Sequence, residues 1–422
     1  MQWLCEFGTH SLSIRVPKRK LLGHFHGPAS ELAGGTHLMR QAMAEPVDAP
    51  PLSSALVPGD HVTVVLDSGL PRADEVLIPL FEAMQVAEVR PEDITVLCTH
   101  GEGAANIAHM IDALPEDFED VTVVTHNPSD DEGHAYLAST KGGRRIYLDR
   151  RATDADACVV VGRTGFDPLV GLRGTASYLF PALSNAQARR QSRVLAMDAR
   201  GGTESLRARQ ICDEVAWLMG LFYGVGVALD RKNDIETIWF GQFQSVQNAA
   251  NQHASAHWTI PKPAKSPALV VATVARSNEP ARWDAVASAL ENAVRLCGPE
   301  GKVLLIADIA EPLGPTGRWL VDNENPWDLL HRLREAEDED SLTTAQFAFS
   351  LSDRRIHLYS RLQADLVESL SMIPVANERE IEKLMENVPS IYLVEGADRA
   401  RVASAQDRLI NARITDGAEE VN

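Results

Sequence analysis

Short apolar runs alternate with longer stretches of helical periodicity through most of the chain. The first predicted strand covers residues 62–66 and follows the turn Pro58-Gly59-Asp60; a helix is predicted over 77–88. Further strands are predicted at 94–98, 121–125, 157–162, 268–274, 302–307, 356–359 and 390–394, and further helices at 106–114, 283–296, 362–370 and 378–386. This alternation is typical of mainly parallel sheets with crossover helices.

A proline-rich segment interrupts this rhythm at residues 261–267, where three of seven residues are proline and no apolar period is present. A chain of 422 residues is also too long for one compact core. We therefore predict an N-terminal domain over 1–260, a linker over 261–267 and a smaller C-terminal domain over 268–422. The predicted fold class is α/β, with two α/β domains, mainly parallel sheets and an interdomain cleft.

Charge and composition narrow the classes of partner. The formal net charge is -19, from 59 acidic and 40 basic side chains, and such a surface repels nucleic acid. No apolar run reaches the roughly 18–20 residues that cross a bilayer, and the N-terminus lacks the pattern of a secretory signal. The five cysteines are scattered without a C-x-x-C pair, which favours free thiols in a reducing compartment. We expect a cytoplasmic protein without nucleic-acid or membrane partners; a homo-oligomer is compatible with the sequence.

Polar and glycine residues open the loops that follow the predicted strands. These loops begin at Asp67, His100, His126 and Arg163. Because ligands of parallel sheets bind at the carboxyl ends of the strands, we expect these side chains to surround one cleft. Two carboxylates with two arginines suit a small anionic metabolite, since a guanidinium binds a carboxylate bidentately.

Three pairs of side chains are the candidates for this site. They are Asp67 with Arg72 for binding a substrate carboxylate, His100 with Glu102 for acid–base chemistry, and Asp167 with Arg173 as a functional ion pair. Each pair also has a structural interpretation. These are a helix-capping aspartate beside a surface arginine, a strand-end histidine bound by backbone groups, and a structural salt bridge. The sequence leaves both interpretations open.

The segment His24-Phe25-His26 places two imidazoles on one face of an extended stretch. No carboxylate or cysteine joins them at ligand spacing, so no metal site is predicted. The chain also lacks a phosphate-binding glycine motif and a G-x-S-x-G nucleophile elbow. Dinucleotide-dependent redox chemistry and serine hydrolysis therefore have no support.

Four segments, in this order and spacing, resemble the nickel-dependent lactate racemase family. They are the turn at 57–60, the strand and aspartate at 62–67, the segment 138–149, and the segment 155–162, which leads into and includes a predicted strand. The resemblance covers residues 51–181 well and the second domain more loosely. It implies two α/β domains and a nickel-pincer nucleotide joined to a lysine. It also implies a histidine ligand to the nickel, and two histidine bases acting on a 2-hydroxy acid.

The residues at the family's chemical positions differ in this sequence. The resemblance places the anchoring lysine at Ser177, the two histidine bases at Asp167 and Glu102, and the nickel-ligand histidine near Arg193. The family's loop arginine falls on Leu70, with Arg72 two residues away, and His100 lies two residues before Glu102. A covalent tether is therefore predicted to be absent, and the cofactor is left unknown.

Three functions are compatible with these residues, and whether the chain is an enzyme stays open. The first is binding of a small 2-hydroxy acid or related anion in the interdomain cleft, with proton transfer by His100, Glu102 or Asp167. Asp67, Arg72, Arg173 and Ser177 would then bind the substrate. The second is a non-catalytic relative that acts as a ligand sensor or partner subunit. The third is a racemase or epimerase whose nickel cofactor binds noncovalently.

Overall fold

A computed structural model describes residues 1–29, 34–101, 103–199, 204–275, 280–322, 326–351 and 354–403. The chain forms two compact units. The central unit comprises the described residues of 34–230 and 234–254, and the terminal unit comprises those of 1–29, 231–233 and 255–403.

The strands and helices of both units are numbered along the chain. The strands are β1 (Gln2–Phe7), β2 (His10–Arg15), β3 (Leu21–His26), β4 (Val62–Leu66), β5 (Ile94–Cys98), β6 (Thr122–Thr125), β7 (His134–Ser139), β8 (Arg145–Asp149), β9 (Ala157–Arg163), β10 (Gly165–Asp167), β11 (Gly171–Arg173), β12 (Tyr223–Leu229), β13 (Ile235–Gln242), β14 (Thr259–Ile260), β15 (Leu269–Thr273), β16 (Lys302–Ile306), β17 (Arg355–Tyr359), β18 (Ile373–Pro374), β19 (Ile391–Glu395) and β20 (Arg401–Val402). The helices are α1 (Gly35–Ala44), α2 (Asp74–Val86), α3 (Ala104–Ala113), α4 (Arg150–Thr153), α5 (Thr175–Leu179), α6 (Ala186–Ala199), α7 (Glu204–Leu218), α8 (Phe243–His257), α9 (Trp283–Leu296), α10 (Arg318–Asp322), α11 (Pro326–Glu335), α12 (Ser341–Leu351), α13 (Ala364–Ser369) and α14 (Glu378–Glu386).

The central unit is built on a six-stranded sheet of order β13-β12-β9-β4-β5-β6. All neighbours in it are parallel except β12 and β13. Strand β4 reads Val-Thr-Val-Val-Leu and is buried throughout, because apolar cores cover both of its faces. Val64 packs with α2 on one face, and Val65 lies in the cluster with Tyr178 on the other.

The terminal unit contains a second six-stranded sheet, of order β18-β17-β16-β15-β19-β3, in which every pair is parallel. The hairpin β1-β2 contributes Trp3, Cys5 and Ile14 to the core on one face of this sheet. Strand β3 is an edge strand and pairs with β19, which lies more than 360 residues later in the chain.

The predicted α/β class with mainly parallel sheets is confirmed. Four predicted elements have the observed bounds: Val62–Leu66, Ile94–Cys98, Trp283–Leu296 and Glu378–Glu386. None of the helices in the described residues is long and apolar enough to span a membrane.

The observed division of the chain differs from the predicted boundaries of 1–260, 261–267 and 268–422. Residues 1–29 belong to the terminal unit, since β3 completes its sheet, and the proline-rich segment lies within that unit between β14 and β15. Such pairing between distant segments leaves no composition signal. The interdomain cleft stays a prediction.

Candidate functional site

The carboxyl ends of β4, β5 and β9 lie side by side in the central sheet. Leu66 is in register with both Cys98 and Val161. The residues that follow, Asp67 after β4 and Thr99 after β5, therefore meet at one edge together with Arg163. This edge, with the hairpin β10-β11 and helix α5, is the candidate site.

Asp67 is the most highly coordinated side chain at this edge. It is 2% exposed, and its Oδ2 accepts hydrogen bonds from Arg163 Nε (2.6 Å), the Arg163 backbone N–H (3.1 Å) and the Tyr178 hydroxyl (2.7 Å). Its Oδ1 accepts from Arg163 Nη2 and the Gly69 backbone N–H, both at 3.0 Å. Five donors satisfy this carboxylate, so it holds Arg163 in place and is poorly placed to accept a proton.

Charges around Asp67 set its protonation state. Burial alone would raise its pKa, but the guanidinium of Arg163 outweighs this effect and, with Arg173 and the Tyr178 hydroxyl, lowers the pKa to about 2. Burial and the charge of Asp67 raise the pKa of Tyr178 well above its usual value. At neutral pH, Asp67 is thus an anion and Tyr178 a neutral donor.

Asp167 and Arg173 form a second ion pair within the hairpin β10-β11. Arg173 donates from Nε (2.8 Å) and Nη2 to Asp167 Oδ2, while Oδ1 accepts the backbone N–H groups of Leu169 (2.8 Å) and Val170 (3.0 Å). This carboxylate is also fully engaged. The charge of Arg173 acts on Asp67, so the two ion pairs form one cluster of alternating charge, here called the arginine–aspartate cluster (Asp67, Arg163, Asp167, Arg173).

Ser177 lies in the first turn of α5, where its hydroxyl closes the start of the helix. Its Oγ donates to the Gly174 carbonyl (2.7 Å) and accepts from the Gly174 backbone N–H (3.3 Å). Gln247 of α8 packs so closely on Gly174 that a Cβ there would clash with its amide. An alanine at position 174 would therefore have to displace the Gln247 amide.

The other predicted site residues are placed differently. Arg72 has a φ of 50° and pairs with Glu75 (3.5 Å) and Asp234 (3.3 Å), so the guanidinium on Asp67 comes from Arg163 instead. His100 is exposed, and no hydrogen-bond partner for it occurs in the described part of the chain. Glu102 lies outside the described residues. Tyr178 was missed in the sequence, since its contact with Asp67 joins residues 111 positions apart.

A second buried polar group lies beyond β6. His126 Nδ1 is 2.9 Å from Asp149 Oδ2, and its Nε2 is 3.1 Å from the Ser184 carbonyl. Arg151 donates to the same carboxylate from Nε (2.8 Å) and Nη2 (2.7 Å). Burial would raise the pKa of Asp149, but the hydrogen bonds from His126 and Arg151 outweigh it and lower the pKa well below its usual range.

The loop before α3 provides a test of the packing at this edge. Gly103 has a φ of 91°, and a Cβ there would lie well inside contact distance of the Ser68 carbonyl. We expect Gly103→Ala to lower the free energy of unfolding by about 2–3 kcal/mol, from left-handed strain plus steric displacement. Gly143, at φ 79° with open space around it, is the matched control, and Gly143→Ala should cost only about 1 kcal/mol. Urea unfolding of both variants measures the difference, and equal losses would contradict the predicted clash.

Comparison with known proteins identifies a similar domain and similar folds. Residues 7–203 match the family model of the lactate racemase N-terminal domain. Residues 7–203 are thus similar to this domain of lactate racemases. The solved lactate racemase apoprotein from Thermoanaerobacterium thermosaccharolyticum superposes with a TM-score of 0.81 at 16% identity, over 96% of this chain and 100% of that one. A Thermotoga maritima protein solved by a structural genomics consortium gives a TM-score of 0.63 at 11% identity, over 87% and 98% of the two chains. No curated protein sequence matches this chain.

The residues at the corresponding positions of this chain do not fit a lysine-tethered nickel cofactor. Ser177 has no amine and uses its hydroxyl in the turn before α5. Asp167 accepts hydrogen bonds from four donors. Arg193, near which the resemblance places the nickel-ligand histidine, is a buried cation. Among the residues the structure describes, no three His, Cys, Asp or Glu side chains are grouped to hold a metal. No chemical step is therefore assigned to that cofactor.

Proposed function

We propose that this lactate racemase relative binds a small 2-hydroxy acid, or a closely related carboxylate, at the arginine–aspartate cluster. The observation that supports the proposal most is the pair of oriented arginines at one strand edge. Arg163 and Arg173 are each held by a buried aspartate, yet their side chains remain 19% and 27% exposed. Each guanidinium is thus fixed in direction, and part of each arginine side chain is exposed to solvent.

Such fixed arginines suit carboxylate recognition for an energetic reason. A guanidinium carries five N–H donors in a rigid plane, so one edge can bind an aspartate while the same group also meets an external anion. Because Asp67 and Asp167 already restrain the side chains, less rotamer entropy is lost when the ligand binds. The aspartates themselves are saturated with donors, so recognition is better supported than proton abstraction by these groups.

Two polar atoms beside the cluster favour a hydroxylated acid. Thr175 Oγ1 and Gln247 Oε1 are buried, and neither has a hydrogen-bond partner in the described residues. Gln247 lies against the cluster, since its Nε2 is 3.5 Å from the Arg173 carbonyl. A ligand hydroxyl could donate to the Gln247 oxygen and so give this buried acceptor a hydrogen-bond partner. Lactate, the substrate named for the solved Thermoanaerobacterium relative, is one such ligand.

Calorimetric titration with lactate tests this proposal. Loss of one charge-assisted hydrogen bond costs about 1.5–3 kcal/mol, so we expect Arg173→Gln to weaken binding about 10- to 150-fold. Arg90→Gln is the matched control, because Arg90 forms an arginine–aspartate pair with Asp93 before β5 and should leave the affinity unchanged. Equal affinities of the wild type and Arg173→Gln, or a lack of any heat with either lactate enantiomer, would contradict the proposal.

Proton transfer on the bound acid is the second candidate function. Its support is the position of His100 at the same sheet edge. The preceding residue, Thr99, accepts a hydrogen bond from the backbone N–H of Ser68 (3.2 Å), and Ser68 directly follows Asp67. Deuterium exchange at C2 of lactate, followed by proton NMR, measures this activity, and its loss in Glu102→Gln would assign the acid–base pair. Binding without exchange would instead support a ligand sensor or partner subunit.

Cofactor content separates both candidates from a racemase with a noncovalent pincer cofactor. Protein coexpressed with the cofactor-making enzymes should have an unmodified intact mass and should release no pincer nucleotide on denaturation. A pincer nucleotide in the denatured sample, detected by mass spectrometry, would overturn the proposal that this site works without that cofactor.

A further inference from the structure

The edge strand β3 brings a histidine against a buried carboxylate of the terminal unit. His24 lies beside Leu393 in the parallel pairing of β3 with β19, and its Nε2 is 2.7 Å from Glu395 Oε1. The same oxygen accepts the indole N–H of Trp3 at 2.7 Å, and Oε2 accepts from Arg231 at 3.4 Å. The sequence showed His24-Phe25-His26 without a carboxylate, and the fold supplies one from 371 residues away.

These contacts fix the tautomers of two neighbouring imidazoles. The indole of Trp3 and the guanidinium of Arg231 only donate, so Glu395 is an acceptor and His24 Nε2 carries the proton. The lone pair of a neutral His24 is then on Nδ1. His26 Nδ1 lies 3.3 Å from the Gly27 carbonyl, which also only accepts, so the lone pair of His26 is on Nε2.

The two rings are spaced as ligands of one metal ion. Alternate residues of a strand share a face, and the ring centroids of His24 and His26 are 5.6 Å apart. Two imidazoles on a tetrahedral zinc ion, with Zn–N bonds of about 2.1 Å, have centroids about 5.3 Å apart. The side chain of His24 is 25% exposed and His26 is exposed, so an ion can approach from solvent.

We propose that His24 and His26 form a binding site for a divalent transition-metal ion of the zinc type, with Glu395 as the carboxylate that orients His24. A histidine ligand whose other nitrogen donates to a carboxylate is the usual arrangement around protein-bound zinc. No third His, Cys, Asp or Glu within the described ranges completes the set, so water takes the remaining positions. This site lies in the terminal unit and is separate from the arginine–aspartate cluster, so it goes beyond the proposed function.

Titration of the tag-free full-length chain with zinc chloride tests the site. We expect one equivalent of Zn²⁺ to bind, and both His24→Gln and His26→Gln to weaken that binding at least tenfold. His10→Gln is the matched control, because His10 is an exposed histidine of the same unit that lies outside the proposed metal site. This substitution should leave the zinc affinity unchanged. An unchanged affinity in the His24→Gln/His26→Gln double variant would overturn the proposal.

Cobalt spectroscopy tests the role of Glu395 independently of stability. Co²⁺ at this site should give visible d–d absorption that is lost in His24→Gln. Glu395→Gln should weaken Co²⁺ binding about 10- to 100-fold, the usual effect of removing a carboxylate behind a histidine ligand. Circular dichroism confirms that each variant is folded, and an unaltered cobalt spectrum and affinity in both variants would refute the assignment.

Discussion

Asp67→Asn is expected to lower the free energy of unfolding by about 3–5 kcal/mol, because it removes the buried charge that binds the Arg163 guanidinium through two hydrogen bonds. The substitution also removes an acceptor of the Tyr178 hydroxyl inside the core. Urea unfolding followed by circular dichroism measures the loss. The control is Asp154→Asn, which breaks an exposed i,i+4 pair with Arg150 and should cost no more than about 0.5 kcal/mol.

The same carboxylate gives the protein a defined response to acid. The pKa of Asp67 is about 2 in the folded chain against a usual value of 3.8, so its contribution is complete above about pH 4 and is lost as the pH falls toward 2. The shift corresponds to about 2 kcal/mol. The stability difference between the wild type and Asp67→Asn should therefore shrink between pH 5 and pH 2. A difference that is constant across this range would contradict the assigned ion pair.

His126→Ala is the second substitution expected to have a large effect, at about 3–4 kcal/mol of unfolding free energy. It removes a donor from the ionised Asp149, leaves the Ser184 carbonyl without its contact and opens a cavity where a fully buried ring had been. His61→Ala is the control, since His61 is exposed and its ion pairs are long. Its cost should stay below about 1 kcal/mol.

A double-mutant cycle shows whether His126 acts through Asp149. The variant His126→Ala/Asp149→Asn should lose less stability than the sum of the two single losses, since either change alone breaks the same hydrogen bond. The expected coupling is about 1–3 kcal/mol. Strict additivity would contradict a direct contact between these two groups.

Local pattern was sufficient to predict most of the parallel framework. Strand β4 and helix α9 were predicted to the residue, because one is a continuous β-branched run and the other has regular helical periodicity. The hairpin β10-β11 was not predicted, since its three-residue strands are too short for a period of two to show. Strand β3 was missed for a different reason: its pairing with β19 depends on residues from the other end of the chain.

The candidate site was predicted only in part, because some of its contacts depend on the register of strands that are distant in sequence. The pairing of Asp167 with Arg173 joins residues six apart, so both could be found in one loop. Asp67 was also found, but its partner Arg163 is 96 residues away and is set by the alignment of β4 with β9. Arg72 was nearer in sequence, yet its side chain pairs with Asp234 instead.

A crystal structure of the protein grown with lactate, at a concentration well above the measured Kd, would show where lactate binds. We expect the lactate carboxylate to lie within hydrogen-bond distance of the Arg163 or Arg173 guanidinium, with both aspartate pairs intact. Lactate bound elsewhere on the chain, with the arginine–aspartate cluster solvated, would contradict it.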